Sequence, residues 1–324
     1  MLHPVMTGLL ALTMRAPPPR MSSNWWFDPI ARFGPIDDAP TSDSPRPLLL
    51  VLPGLDGSGI TAWTQFPELS LDYDIKCLGI PADDRSTYNE LVQTVTAEVQ
   101  RADADGREVL LLGESMGSGI ALDVARAVEP SQLSALVLVS PATAWDQTWL
   151  GKLRGWLVTL PEPLLALIIA LTTYQLFDLD LMLTTARRIA TGEKAPILDT
   201  PARIDYAWRV VGAMPTALAS PPGTVKHRIA AWAEPSIAAA RELSDLRTPM
   251  LLVAGTADLR VPAEAEAQRI AAEAPSACRC AVHLVEGAGH AGATDERLDL
   301  RVVLRRWRHA DAESVTPAGS GSRI

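Results

Sequence analysis

The chain has 324 residues, long enough for one large core carrying an insertion. Apolar residues make up 48% and charged residues 21%, the balance of a folded globular chain and not of a disordered one. A net charge of −9, with no basic run to reverse it locally, repels phosphate backbones and argues against a nucleic-acid partner.

Residues 1–47 read as a proline-rich N-terminal arm or targeting segment. Residues 1–27 hold no acid, carry Arg15 and Arg20, and place Ser22 and Ser23 near a candidate cleavage point. That pattern fits an organelle transit peptide and a plain unstructured tail equally. The prolines between Pro17 and Pro47 oppose helix formation, and Trp25, Trp26 and Phe27 are expected to dock on the body. No apolar stretch reaches the roughly 18 residues that a membrane-spanning helix requires.

Leu48–Leu52 is a short, continuous apolar run and predicts a fully buried strand. Pro53-Gly54-Leu55-Asp56-Gly57-Ser58-Gly59 follows, and its three glycines let the backbone fold tightly enough to aim amide N–H groups at a shared point. A second strand is expected at Asp74–Ile80. Thr87 and Glu90 then have the spacing of a capping box, opening a helix with Leu91, Val92, Val95 and Val99 on one face. Glu108–Leu112 predicts a third strand, and Gly113-Glu114-Ser115-Met116-Gly117 turns it into a helix over Met116–Val128. A serine in such a sharp strand-to-helix turn needs small neighbours, and the turn lifts its hydroxyl above the sheet edge beside helix N–H donors. Leu133–Val139 is the next strand, ending at Ser140-Pro141-Ala142-Thr143. Strand alternating with helix through residues 48–140 implies an α/β fold with a mostly parallel sheet flanked by helices.

Between Ala144 and Asp245 the rhythm breaks into helical spacing without a clear strand, and this stretch holds five of the nine tryptophans. Residues 144–245 therefore read as an inserted helical cap between core segments 48–143 and 246–309. Its tryptophans and the run Leu164–Leu171 fit either the core of a helical subdomain or an apolar underside that accepts a long acyl or isoprenoid chain. Trp145, Trp149, Leu164 and Ile168 are the candidate substrate contacts, and the apolar cap is expected to allow peripheral association with a membrane or lipid droplet. Met250–Ala254 resumes the strands, Pro262 suits the first position of a helix over Ala263–Ala274, and Cys280–Val285 is the last strand. Glu286-Gly287-Ala288-Gly289-His290 is its exit, a final helix is expected over Thr294–Trp307, and residues 310–324 read as a loose tail. Cys77, Cys278 and Cys280 cannot all pair and offer no C-x-x-C, which points to structural cysteines in a reducing intracellular compartment and to no metal site. No cofactor is expected.

Ser115, Asp258 and His290 each fall just after a predicted strand, and in a parallel sheet those ends share one edge. A serine hydroxyl needs a base, imidazole supplies it, and a carboxylate fixes the imidazole tautomer. Glu286 is a reserve acid but stands too near the histidine; His3, His227, His283 and His309 are poorer bases by position. The backbone N–H groups of Met116 and Leu55 are the candidate oxyanion donors, with Asp56 bracing its own loop.

The order Ser, Asp, His and the three exit loops resemble the α/β-hydrolase superfamily. More narrowly, Leu52 to Gly59, Ile80-Pro81 with Asp84-Arg85, Gly113 to Gly117 and Ser140 to Thr143 resemble the esterase/lipase-like half of the plastid phytyl ester synthase and diacylglycerol acyltransferase-like family. That family typically carries a second, acyltransferase-like domain with an H-x-x-x-x-D motif; here only His290 and Asp295 have that spacing, which we read as chance. The resemblance implies acyl-ester or thioester chemistry on a lipid-like substrate through an acyl-Ser115 intermediate, in a plastid or otherwise in the cytoplasm. Transfer of the acyl group to phytol or glycerol and non-catalytic lipid binding are the alternatives.

Overall fold

The computed structural model describes residues 26–30, 46–172, 179–218, 220–291 and 297–315. The targeting expectation lies outside them except at Trp26 and Phe27, as does Asp295. Seven strands form one sheet in the order β1-β3-β2-β4-β5-β6-β7. They are β1 (Trp26–Phe27), β2 (Leu48–Leu52), β3 (Asp74–Leu78), β4 (Val109–Glu114), β5 (Ala135–Val139), β6 (Met250–Gly255) and β7 (Cys280–Val285). All neighbours are parallel except β1, which pairs antiparallel through Trp26 with Leu78 and Phe27 with Cys77. Every residue of β2, β4, β5 and β6 is buried, as uninterrupted apolar runs require when helices cover both faces.

Among the described residues the eight longer helices are α1 (Tyr88–Ala104), α2 (Gly117–Ala127), α3 (Glu162–Thr172), α4 (Leu179–Thr191), α5 (Thr200–Leu218), α6 (Pro222–Ala239), α7 (Ala263–Glu273) and α8 (Leu300–Val315). The capping box of α1 forms in full: Thr87 accepts from the Glu90 N–H, and the Glu90 carboxylate accepts from the Thr87 N–H at 2.7 Å. Such a cap contributes about 1 kcal/mol. The last helix starts later than expected. Asp299 accepts from the Val302 N–H at 3.0 Å, an N-cap contact that opens α8 at Leu300, and the helix runs on to Val315, past the expected start of the tail.

Two apolar clusters sandwich the sheet. One joins α1, α2, α6 and α7, through Leu91, Val95, Ile120, Val124, Trp232 and Ile270 among others. The other joins Phe66, Leu69, Ile189, Tyr206, Leu300 and Leu304 on the opposite face. The helical insertion between β5 and β6 thus reaches both faces: α5 lies over residues 60–65, with the Tyr206 hydroxyl donating to the Trp63 carbonyl and α4 packed on α5, while α6 packs against α2. That second contact is backbone-close, since a Cβ on Gly119 of α2 would stand 2.2 Å from Ser236 Oγ of α6.

The strand order fixes where a site can form. From β2 the chain moves outward to β3, then returns to the other side of β2 for β4 and continues to β7. The reversal opens a crevice at the carboxyl ends of β2 and β4, the place where such sheets bind ligands. Residues 53–59 and Ser115 are the segments that leave those two strands.

Candidate active site

Ser115 follows β4 with φ of 53°, in the left-handed region that non-glycine residues rarely occupy. Its backbone is over-determined: its N–H donates to the Val139 carbonyl at 3.0 Å, and its carbonyl accepts from Ser118 and Ala142 N–H, both at 3.1 Å. The flanking glycines are required by contact. A Cβ on Gly113 would meet the Gly117 carbonyl oxygen at 2.6 Å, and one on Gly117 would meet the Pro53 carbonyl oxygen at 2.6 Å. The loop carrying Ala142 is anchored next door, where Thr143 donates to the buried Glu266 carboxylate at 2.5 Å and Arg269 pairs with the same carboxylate at 2.8 Å.

His290 Nε2 lies 3.0 Å from Ser115 Oγ, and His290 Nδ1 lies 2.8 Å from Asp258 Oδ2. The imidazole and carboxylate are only 8% and 2% exposed, so water competes little for either contact. Asp258 Oδ1 accepts from the Arg260 and Val261 N–H groups at 2.7 and 3.0 Å, which fixes the carboxylate and leaves Oδ2 for the imidazole. A carboxylate only accepts, so Nδ1 carries the proton and Nε2 presents a lone pair to the serine hydroxyl. Burial pushes the neighbouring Arg260 guanidinium below its usual pKa, with the Asp258 charge opposing that fall. The Asp258 and His290 loops are laced together: Ala257 N–H donates to Ala288 O at 2.9 Å, and Gly287 N–H donates to Thr256 Oγ1 at 2.8 Å.

The other expected acid and bases stand elsewhere. Glu286 is exposed, His283 lies within β7, His227 on α6 faces the Ser86 carbonyl at 3.3 Å, and His309 is exposed on α8; His3 is outside the described residues. Among the described residues no group of three or more His, Cys, Asp or Glu could hold a metal ion. The 53–59 loop sits directly against the serine, since a Cβ on Gly54 would be 3.1 Å from Ser115 Cβ. Asp56 accepts from the Ser58 N–H at 2.8 Å, bracing the loop from within. Of the expected substrate contacts, Trp145 is buried at 7% exposure, Ile168 is half-buried, and Trp149 and Leu164 face solvent at 59% and 42%.

Arg228 was not singled out by the sequence. It is 2% exposed on α6 and donates to the carbonyls of Leu55, Ile80 and Pro81, each at 2.9 Å, with its guanidinium 5.1 Å from the Trp232 ring centroid. The signal present was a charged residue inside an otherwise apolar helical face, between Val225, Ile229 and Trp232.

Phytyl ester synthase 1, chloroplastic, from Arabidopsis thaliana is 26% identical over 320 residues, covering 94% of this chain and 42% of its own length. Phytyl ester synthase 2, chloroplastic, from the same plant is 35% identical over 153 residues, 47% of this chain and 20% of its own. The chain therefore spans less than half the length of the curated relatives it matches. The esterase RhEst1 from Rhodococcus sp. ECU1013 shares the fold, with a TM-score of 0.57 at 15% identity over 82% of this chain and 91% of that one. The profile described as Hydrolase_4, serine aminopeptidase S33, matches residues 82–297, a stretch that includes Ser115, Asp258 and His290. The chain belongs to this α/β-hydrolase family of serine hydrolases.

Proposed function

We propose that the protein is a serine esterase of the lipase type, acting on carboxylic esters or thioesters with lipid-like acyl groups. The observation that carries this reading is the unbroken chain of contacts from Ser115 Oγ through His290 to Asp258, at 3.0 and 2.8 Å. Ser115 Oγ attacks the ester carbonyl carbon while its proton passes to His290 Nε2, and Asp258 stabilises the imidazolium. The negative charge on the former carbonyl oxygen is held by the Met116 and Leu55 N–H groups. The leaving alkoxide or thiolate takes the proton back from His290, giving acyl-Ser115. Water, deprotonated by the same imidazole, then releases the acid and restores the serine.

An alcohol could take the place of that water. The similarity to phytyl ester synthases supports acyl transfer to a phytol-like or glycerol-like acceptor as a second reading, with water exclusion deciding between the two outcomes. A lipid-borne substrate is supported by the exposed apolar side chains of the insertion, Trp149, Leu153, Trp156, Leu164, Leu167 and Leu171, which suit a lipid surface. Trp149 and Leu164 belong on that outer surface, while Trp145 and Ile168 stay as the proposed inner contacts. Among the described residues no helix is long and apolar enough to cross a membrane. The free cysteines Cys77, Cys278 and Cys280 suit a reducing intracellular compartment, and the relatives' names extend the proposal to the plastid.

The test is fluorophosphonate labelling together with hydrolysis of p-nitrophenyl esters of graded acyl length by the wild type and Ser115→Ala. Labelling at Ser115, with about 10³-fold or greater loss of kcat in the variant, is the expected result. Unchanged activity in Ser115→Ala would overturn it, and faster cleavage of aminoacyl p-nitroanilides than of any ester would move the reading to a peptidase.

A further inference from the structure

We infer that Arg228 is a positioning residue for the oxyanion-binding backbone, setting the loop after β2 from the insertion helix α6. The inference rests on the serine-esterase reading above.

The Leu55 N–H and the Gly54 carbonyl belong to one trans peptide and point in opposite directions. The Gly54 carbonyl accepts from the Gly57 N–H at 3.1 Å, closing a turn over residues 54–57. One side of this peptide is thereby committed to the turn, and the Leu55 N–H faces the other way. That orientation holds only while the turn keeps its shape. The Leu55 carbonyl, in the next peptide, accepts from Arg228 Nη1 at 2.9 Å, and the Gly57 carbonyl accepts from the Ile80 N–H at 2.8 Å. Arg228 Nη2 in turn donates to the Ile80 and Pro81 carbonyls, each at 2.9 Å. The guanidinium thus ties the turn after β2 to the exit of β3 by a planar set of donors that no other side chain offers.

Its neighbours on α6 strengthen the assignment. Thr224, Arg228 and Trp232 are spaced by four residues and share one helical face. Thr224 Oγ1 donates to the Ala82 carbonyl, and Trp232 Nε1 donates to the Ser86 carbonyl at 3.1 Å. All three are buried. Gly57 is moulded to the same contact, with φ of 74° and room for a Cβ only 2.5 Å from Arg228 Nη1. Burial depresses the Arg228 pKa from its usual value, opposed by the charges of Asp56 and Asp84. A buried cation serving three carbonyls, one of them in the loop that lies against Ser115, is a costly way to fill a core, since apolar residues of similar volume stabilise as well or better. Its use here is to hold backbone direction.

The test uses Arg228→Lys, which keeps the charge and the stem but cannot span three carbonyls, and Gly57→Ala, whose Cβ at φ of 74° would stand 2.5 Å from Arg228 Nη1 and 2.8 Å from the Ile80 carbonyl oxygen and so strains the same turn from the loop side. Three quantities are measured on a p-nitrophenyl ester that the wild type cleaves: kcat, KM, and inhibition by a trifluoromethyl ketone of matching chain, whose tetrahedral adduct places an oxyanion where the reaction does. The expected result in both variants is a kcat lower by about 10- to 10²-fold with ketone affinity falling in proportion, and KM within about threefold of wild type. A side chain that merely supports the fold would lower the melting temperature without separating kcat from KM. If Arg228→Lys does not fold, Gly57→Ala decides alone. Wild-type kcat and ketone affinity in a folded variant, or losses in kcat and KM of equal size, overturn the inference and leave the esterase reading standing. Wild-type protein that neither binds the ketone nor labels at Ser115 overturns both.

Discussion

Gly255 ends β6 three residues before Asp258, and its missing side chain is what allows the Asp258 and His290 loops to touch. A Cβ built there lies 2.2 Å from the Ala288 carbonyl oxygen and 2.7 Å from the Gly289 oxygen. Carbon and carbonyl oxygen pack at about 3.3 Å, so Gly255→Ala must push residues 288–289 away by about 1 Å. The obstacle is backbone, and no rotamer change relieves it. Overpacking of this kind costs about 1–3 kcal/mol. His290 follows directly, so the shift is transmitted to the 2.8 Å contact with Asp258 and the 3.0 Å contact with Ser115. A displacement of about 1 Å at a reacting group costs on the order of 10²-fold in rate. We expect Gly255→Ala to lower kcat on a short p-nitrophenyl ester by that factor and to lower the melting temperature by a few degrees. Gly289→Ala is the control. It stands beside His290, yet a Cβ there meets nothing within 4 Å, so its melting temperature should match wild type. Wild-type kcat and melting temperature in Gly255→Ala would refute the claim that the two loops are held at contact distance.

Asp258→Asn is expected to leave KM near wild type and cut kcat by about 10⁴-fold, because an amide that donates to Nδ1 selects the wrong tautomer; steady-state kinetics on the same ester checks it. Glu68 accepts from the Ala195 N–H at 2.7 Å, and burial raises its pKa above the ordinary 4.5, with Lys194 opposing. The folded state then holds the proton more tightly than the unfolded chain, so this group's contribution to stability is full below 4.5 and is lost as pH rises through the folded pKa. Glu68→Gln keeps the acceptor and removes the ionisation. Its urea midpoint should fall less than that of the wild type as pH rises from 4.5 toward neutrality, and parallel curves would refute the assignment.

The sheet was legible because β2, β4, β5 and β6 are buried on both faces, which writes them as unbroken apolar runs bounded by glycine and proline. The candidate site left its mark on the sequence for a related reason. Ser115, Asp258 and His290 follow strands, and the close approaches around them force glycine at 113, 117 and 255, so backbone geometry leaves a mark on composition. β1 left no such mark, because a two-residue strand is defined by its partner, Leu78 and Cys77, and not by its own pattern. The start of α8 is written in Asp299, but Asp295 and Glu296 just before it give the same acidic signal to a helix starting at Thr294. Arg228 was illegible in a stronger sense: its partners are carbonyls 147 to 173 residues away, and a carbonyl has no letter in the sequence.

A cap that merely covered a nucleophile would meet the core through side chains, and its sequence could drift with the substrate. α6 also meets the core backbone, through its polar side chains. Ser236 lies within 2.2 Å of the Cβ position of Gly119 on the helix behind Ser115, and its hydroxyl donates to the Met116 carbonyl at 3.3 Å. Two turns earlier, Arg228 donates to the Leu55 carbonyl. The two residues whose N–H groups we propose as oxyanion donors, Leu55 and Met116, therefore have their carbonyls held by one helix of the insertion. Arg228 and Ser236 are eight residues apart, about 12 Å along the axis of a straight helix, with Pro235 inside that span, so under the proposed function α6 braces both oxyanion donors, while α3 packs on α6 through one side and turns Leu164, Leu167 and Leu171 to solvent.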